Sequence, residues 1–475
     1  MAIQSTLCRR SGFLPAHSGF LPAHRSRSRE FPMPRPRPVH RRAVLQASAA
    51  VLAGGGLADS ALSAAPSKSP SEKLNLACIG IGGRGRANVR GVQSQNLVAF
   101  CDVDTKRAAE TIKAFPGVPL FSDYRRMFDK LDGKIDGVVV STPDHTHFHP
   151  SMMAMQRGLH LYCEKPMGHS VQQTRQMTEA ARKSGVATQL GMQRHNNPAV
   201  RRAVELVRSG SIGEVSEVYT WIASTRGMPS YPAETSPVPN HLDWDLWLGP
   251  TSPRPFSSDI CPYKWRFWWD YGTGETGNWG CHILDIAFWA LDLKYPTRVD
   301  VVGTPDPHPE VTPTEMQTRF RFPPRDGQPE LTLYWGQQKL GPDILREHPV
   351  LAKLNASENA RKWNTLFIGS EGMLLCGFND YVLLPREKFA EFKEPESFIP
   401  PPANFYQQWI SAAKGGDAAG CEFDYSGPLT ETVLLANVTF RTKGGFDWDG
   451  PSRRASGNPD AEKLLTSHYR DGWQI

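Results

Sequence analysis

The sequence predicts an α/β protein of two domains, a doubly wound parallel sheet followed by an α+β domain. Three observations predict it. Strand and helix signals alternate from residue 74 to about 195, the pattern of a parallel sheet with crossover helices. A glycine-rich turn stands directly after the first apolar run. The chain beyond residue 195 is long enough to bury a second core of its own.

The apolar run Leu74–Ile79 reads as a buried strand leading into Gly80, Gly82 and Gly85, a G-x-G-x-x-G spacing that also holds Gly83 and Arg84. The first glycine permits a tight turn, and the second lets backbone N–H groups approach a pyrophosphate. The third lets the next helix pack close to the strand. The strand Leu97–Cys101 ends in Asp102, whose carboxylate can accept hydrogen bonds from adenosine ribose hydroxyls. The first domain is therefore a dinucleotide-binding Rossmann unit. Asp102 favours NAD over NADP by repelling a 2′-phosphate, while Arg84 and Arg86 weaken that preference.

A helix over Thr105–Phe115, a strand at Val118–Leu120, a helix near Tyr124–Leu131 and a strand at Gly137–Ser141 follow. The next helix runs from about Pro150 to a cap at Gly158, and the strand His160–Cys163 leads into Glu164-Lys165-Pro166. A helix over Ser170–Ser184 and a strand at Ala187–Leu190 complete the set. Ligands of such sheets lie outside the carboxyl ends of the strands. Those ends carry Asp102, Thr142-Pro143-Asp144, Glu164-Lys165-Pro166 and Gly191-Met192-Gln193-Arg194, so one mouth collects cofactor and chemistry.

Residues 1–65 are a leader of another kind, joined to the first domain by a linker at 66–73. They hold nine Arg and no Lys, with Glu30 and Asp59 as the acids, a net of +7 against +6 for the whole chain. The basic balance belongs to the leader, which removes the case for nucleic-acid binding. His40-Arg41-Arg42-Ala43-Val44-Leu45 resembles a twin-arginine export signal, followed by the small-residue apolar run Ala43–Leu57 and a cleavage-suited Ser63-Ala64-Ala65. That run is too short and too rich in Gly and Ala for a membrane span, so the expectation is a periplasmic or otherwise exported protein with no integral segment once processed. The heptapeptide SGFLPAH stands twice in succession at 11–17 and 18–24, and Met33 would begin a more ordinary signal peptide.

Seven cysteines follow the leader, with no C-x-x-C pair, and an odd number cannot be fully paired. Neither an essential disulfide nor a structural zinc is expected. His145, His147 and His149 alternate, but alternate residues share a face only on a strand, and this stretch is a loop entering a helix. No metal is expected there.

The pieces GIGGRG, CDVD, STPDHTH, CEKP and GMQRH, followed by GNWGCHILD at Gly277–Asp285, occur in the order and separations of the Gfo/Idh/MocA oxidoreductases. The chain resembles that family over residues 74 to about 295, and FIGSEGMLLC and FDYSGPLTETVLLANV resemble the later part of its exported members. The resemblance implies that Lys165 sits beside the nicotinamide and the substrate hydroxyl, where desolvation can lower its pKa and suit it to proton transfer. It implies cofactor contacts from Thr142, Pro143, His147, Glu164 and Gln193. It also implies that His282 is the acid/base for the hydroxyl. The family commonly has an aspartate four residues before this histidine; here Asn278 stands there, which can orient a hydroxyl but cannot take a proton.

Asp285 lies three residues after His282 in a helical apolar pattern, so both can share a face and act together. Trp221, Trp244, Trp247, Tyr263, Trp265, Phe267, Trp268, Trp269, Tyr271 and Trp279 crowd the stretch between. Two or three should face a ligand, the rest being core. Arg226, His241, Asp243 and Lys264 are the candidates for reading hydroxyls. Residues 196–475 should form the substrate and oligomerisation domain, with a largely antiparallel open sheet backed by helices. The resemblance implies a homodimer or homotetramer.

The expected activity is hydride transfer between a tightly bound nicotinamide cofactor and a hydroxyl of a carbohydrate: a sugar, polyol or glycoside. Export favours a redox-neutral cycle, because free nicotinamide cofactor is scarce outside the cytoplasm. Two alternatives stand beside it, an NAD-dependent glycoside hydrolase or lyase and a non-catalytic carbohydrate-binding protein on the same fold.

Overall fold

The computed structural model describes residues 72–325, 327–357 and 362–474. The leader with its twin-arginine pattern, the proposed cleavage region and most of the linker lie outside the described residues.

The first domain runs β1 (Asn75–Ile79), α1 (Arg84–Val92), β2 (Asn96–Cys101), α2 (Thr105–Ala114), β3 (Leu120–Phe121), α3 (Tyr124–Lys130), β4 (Gly137–Val140), α4 (Phe148–Gln156), β5 (His160–Cys163), α5 (Val171–Ser184) and β6 (Thr188–Leu190). All six strands are parallel, in the order β3-β2-β1-β4-β5-β6. The order reverses between β1 and β4, which opens a crevice above Gly80 and Ser141. Helices cover both faces, so Ala77–Ile79, Val138–Val140 and Leu161–Cys163 are buried runs rather than alternating ones. Asp104, Asp123 and Ser170 cap α2, α3 and α5 through their side chains, each contributing about 1 kcal/mol.

Two elements are displaced from their sequence positions. Strand β3 pairs at Leu120–Phe121 rather than from Val118, because Pro119 has no N–H and enters the ladder only through its carbonyl, accepting from Phe100 N–H at 2.9 Å. Helix α4 begins at Phe148, before Pro150, since proline is tolerated within a first helical turn.

The second domain runs α6 (Pro198–Arg208), β7 (Val215–Ile222), α7 (Trp244–Leu248), α8 (Gly274–Leu291), β8 (Arg298–Val301), β9 (Met316–Phe322), β10 (Leu331–Gln337), α9 (Ile344–Glu347), α10 (Pro349–Ser357), β11 (Thr365–Gly369), β12 (Met373–Cys376) and β13 (Tyr381–Leu384). After these come α11 (Phe405–Ala413), α12 (Phe423–Arg441), β14 (Phe446–Asp449) and β15 (Arg454–Ser456). The nine-stranded sheet has the order β13-β12-β11-β7-β10-β9-β8-β14-β15, and β7–β10 is its parallel pair among antiparallel neighbours. Along β9, Met316, Thr318, Phe320 and Phe322 are buried, while Gln317, Arg319 and Arg321 are half-buried on the other face. That alternation is the mark of a sheet covered on one side.

The boundary after residue 195 falls just past the last parallel strand, but the chain later returns to the first domain. Helix α11 packs on α1 and β6, and α12 lies against both α5 and α8. The Trp409 indole N–H donates to the Ala187 carbonyl at 3.2 Å. Arg175 of α5 and Glu431 of α12 form a buried two-pronged ion pair at 2.7 Å. Among the described residues, no helix is long and apolar enough to cross a membrane.

Candidate active site

The carboxyl ends of β1, β2, β4 and β5 and the turn after β6 open on one cleft of about 500 Å³, closed on its far side by α8 and by residues 246–266. Its cradle is the glycine turn. Gly80 has φ +75, and a Cβ there would sit 2.8 Å from the Ser141 carbonyl carbon. A Cβ on Gly85 would overlap the Gly80 carbonyl oxygen, so α1 can start this close to β1 only on glycine. Gly83 caps α1 at φ +54 and, like Gly85, does not line the cleft; Gly80, Gly82 and Arg84 do.

Asp102 does more than wait for a ribose. Its Oδ2 accepts the Ile81 and Gly82 N–H groups at 2.8 and 3.2 Å, and Oδ1 accepts the Asp104 N–H at 2.9 Å. The carboxylate thus shapes the loop, and lone pairs remain for a ligand hydroxyl. Burial raises its pKa above the ordinary value, opposed by these same N–H donors. Thr142 and Pro143 line the cleft above β4, and the Thr142 hydroxyl is buried with no partner among the described residues. The glycine cradle, the acid and this orphaned hydroxyl fit a dinucleotide.

At the end of β5, Glu164 Oε1 accepts Arg84 Nε at 3.1 Å, Asn88 Nδ2 at 3.0 Å and Gln193 Nε2 at 2.8 Å. One oxygen therefore ties the glycine helix to the turn after β6. Next to it, the Lys165 ammonium donates to the Asn278 backbone carbonyl at 2.8 Å and to Asn278 Oδ1 at 3.0 Å. Two of its three N–H groups are thereby used, and the third is available to a substrate. Burial lowers the Lys165 pKa, opposed by Glu164 and Asp144.

Asn278 passes its orientation further back. Its amide donates to Glu275 Oε1 at 3.2 Å, and Glu275, fully buried, is held by Arg226 at 2.8 Å. The carboxylate absent at position 278 thus stands one layer behind it. His282 lines the cleft one turn along α8, with Nδ1 buried and without a partner among the described residues. Burial, then the positive charges of Lys165, Arg194 and Arg84, push its pKa well below the ordinary value. The ring is neutral at physiological pH and competent to accept a proton.

Asp285 corrects the sequence reading. It does not face the cleft with His282. Both its oxygens meet His195 Nδ1, at 3.0 and 2.9 Å, and the Tyr425 hydroxyl donates to Oδ1 at 2.6 Å. Three residues along a helix leave an offset of roughly 60°, enough to turn Asp285 from the cleft toward the neighbouring helices. His195 also stacks on Trp289 at 3.9 Å, so Asp285 fastens the turn carrying Gln193 and Arg194 to α8.

Nor does His147 line the cleft; its ring nitrogens meet the carbonyl oxygens of Pro166 and Thr142. His145 meets Trp247 O at 2.9 Å and is lowered to about 3 by burial; His149 meets Trp473 O at 2.8 Å and is lowered to about 4 by burial. The three histidines share no partner. Among the described residues, no group of three or more His, Cys, Asp or Glu could hold a metal.

Of the crowded aromatics, Trp247, Trp265 and Trp279 line the cleft. Trp247 and Trp265 also belong to a small separate core, with Trp244, Trp268, Tyr271, Leu242, Phe256 and Ile260. The four candidate hydroxyl readers are occupied elsewhere. Arg226 pairs with Glu275, His241 with Asp104, and Lys264 with Asp259, while Asp243 caps α7. Long polar side chains near an aromatic run carry no sign of direction, which is why sequence misplaced them. Sequence also missed Arg107 and Arg266, both cleft-lining and without a carboxylate partner among the described residues. Arg107 had a signal, standing in the first turn of α2 after its Asp104 cap, where its guanidinium reaches back over Gly83. Arg266 had none.

A glycine-loop parallel sheet, a sheet-and-helix second domain and a lysine–histidine pair at their junction define a class: two-domain, NAD-binding oxidoreductases. Residues 74–192 match the family model described as oxidoreductase family, NAD-binding Rossmann fold, and residues 209–329 match its companion, oxidoreductase family, C-terminal alpha/beta domain. The chain belongs to the Gfo/Idh/MocA family of oxidoreductases. It is 25% identical to levoglucosan dehydrogenase of Pseudarthrobacter phenanthrenivorans over 228 residues, 46% of this chain and 50% of that protein. It is 30% identical to inositol 2-dehydrogenase of Rubrobacter xylanophilus over 149 residues, 30% of this chain and 42% of that one. The chain spans half or less of the length of these relatives. The WlbA dehydrogenase of Bordetella pertussis, in complex with NADH and UDP-GlcNAcA, superposes with a TM-score of 0.55 at 15% identity, covering 80% of this chain and 99% of that one. At that identity the likeness is one of fold.

Proposed function

We propose that this chain transfers hydride between NAD and a hydroxyl of a sugar, polyol or glycoside. The observation that carries the proposal is the convergence in one cleft of the glycine turn and Asp102 with Lys165, Asn278 and His282. Gly80, Gly82, Arg84, Asp102, Thr142 and Gln193 would hold the cofactor. When bound, NAD supplies a two-electron acceptor at the Lys165 end. Lys165, oriented by Asn278, directs its remaining N–H at the substrate hydroxyl, and neutral His282 takes the hydroxyl proton. Trp247, Trp265 and Trp279 exclude water and offer flat faces to a sugar ring. The relatives named for levoglucosan and inositol support a carbohydrate substrate.

The twin-arginine pattern supports export of a folded, cofactor-loaded protein that works in a redox-neutral cycle, oxidising one substrate and reducing another on the same bound cofactor. The open face of the nine-stranded sheet is the surface for a homodimer or homotetramer. The test is to denature the purified, processed protein and quantify released NAD(H) by chromatography. Near-stoichiometric cofactor, with turnover of paired sugars and no net NADH, is the expected result. Empty protein that binds NAD weakly would overturn the closed cycle, and failure to reduce NAD with any carbohydrate would overturn the hydride step.

A further inference from the structure

The ring of His147, 1% exposed, sits between the two segments that present the cofactor end and the lysine end of the cleft. Its Nε2 stands 2.8 Å from the Thr142 carbonyl oxygen, and its Nδ1 stands 2.7 Å from the Pro166 carbonyl oxygen. Both partners are pure acceptors. A neutral imidazole has one N–H, so its other nitrogen would press a lone pair against a carbonyl lone pair at hydrogen-bond distance. Only the doubly protonated ring satisfies both contacts.

His145 serves as an internal contrast. It also faces two carbonyls, but Tyr271 O lies at 3.3 Å, a contact too long to require a second proton, and burial keeps that ring neutral. Around His147, Cys163 of β5 and Asp144 of the loop before α4 face the ring; His145 and His149 flank it in sequence, and Lys165 directly precedes Pro166, whose carbonyl the ring meets. Burial opposes the charge, but the Cys163 sulfur, the Asp144 carboxylate and the Pro166 carbonyl outweigh it, and the pKa is raised to about 9.

We propose that His147 is a charged clasp, an imidazolium at neutral pH donating to Thr142 and Pro166 at once. It holds the Thr142-Pro143 segment at a set distance from the Lys165-Pro166 turn. It is a positioning residue that acts through Lys165 and touches neither cofactor nor substrate. Its kinetic consequence rests on the hydride-transfer reading above; its protonation state does not. Because the folded pKa is raised, the clasp's contribution to stability is complete below the ordinary value of 6.5 and is lost as pH rises through about 9.

The test begins with the whole protein labelled with 15N-histidine, its ring nitrogens followed by NMR from pH 6 to 10. The His147 signals are assigned by their loss in His147→Gln. Two protonated nitrogens at pH 7.5, converting with a midpoint near 9, are the expected result. A single-tautomer neutral signature at pH 7.5 would overturn the clasp. His147→Gln keeps one donor, so NAD affinity by fluorescence titration should change less than about threefold while kcat falls about tenfold or more, the scale of a misplaced catalytic group. Equal losses in both would reduce His147 to a packing residue and overturn the positioning role. If the wild-type protein binds no NAD, the hydride-transfer reading fails, yet the NMR spectrum still decides the charge of the ring.

Discussion

The two walls of the cleft are built by opposite means. The inner wall is the ends of parallel strands, where backbone does the positioning and each acid already has partners within the chain. Asp102 holds three N–H groups, Asp104 caps α2, Asp144 accepts the Thr273 hydroxyl at 2.7 Å, and Glu164 gathers three donors. The outer wall is side chain. Trp247 and Trp265 belong to a small core of their own, on a segment that also carries Arg266. Backbone hydrogen bonds join this segment to the inner wall, among them Thr105 N–H to His241 O at 3.0 Å, Asp243 N–H to Val103 O at 2.9 Å and His145 N–H to Tyr271 O at 3.3 Å. The difference teaches that cofactor register and ligand cover are separable here. One is set by geometry that tolerates no added atom, the other by rings packed in a core of their own.

That separation can be broken at four points. Gly85→Ala forces a methyl into the Gly80 carbonyl, so the inner wall should lose about 3 kcal/mol or more, read as a large fall in denaturation midpoint or as insoluble protein. His282→Gln should leave fold and NAD content intact and lower kcat by roughly 10²–10⁴-fold, the usual yield of a general base. Trp265→Ala, on the outer wall, should raise KM for the carbohydrate about tenfold and also lower the melting temperature, since the ring is part of the small core, while NAD content is kept. If it instead empties the protein of cofactor, the walls are not separable.

The fourth point is acid sensitivity. His145, His149 and His282 are all held below the ordinary value of 6.5, chiefly by burial. The unfolded chain therefore binds more protons than the folded one between that value and about 4, and stability must fall as pH falls through this window. Melting temperatures measured from pH 7 to 4 should fall steadily as pH falls. A flat profile would mean that these rings are not buried and neutral.

The inner wall was legible in the sequence because its signals are local. Apolar runs, glycine spacing and helix caps act within a few residues, and Leu76, Gly80 and Asp104 each declare themselves to near neighbours. The outer wall is written in distant pairs. Arg226 finds Glu275 and His241 finds Asp104, and nothing periodic announces either. Asp285 failed for a subtler reason. Helical spacing placed it near the face of His282, but a face is broad, and only the packed neighbours His195 and Tyr425 decide which side of it a carboxylate takes.

The return of α11 and α12 to the first sheet imposes an order in time. Trp409 closes onto Ala187 from 222 residues downstream, and the Tyr406 hydroxyl accepts from Arg84 at 3.0 Å. The glycine turn is among the earliest described segments to leave the ribosome, yet its arginine has to wait for one of the last helices. Until then the first sheet has one flank bare, and no fragment cut after β6 should behave as a finished domain. A chain stopped before α11 lacks the Tyr406 partner of Arg84, so the glycine turn is finished only once the far end of the chain has been made.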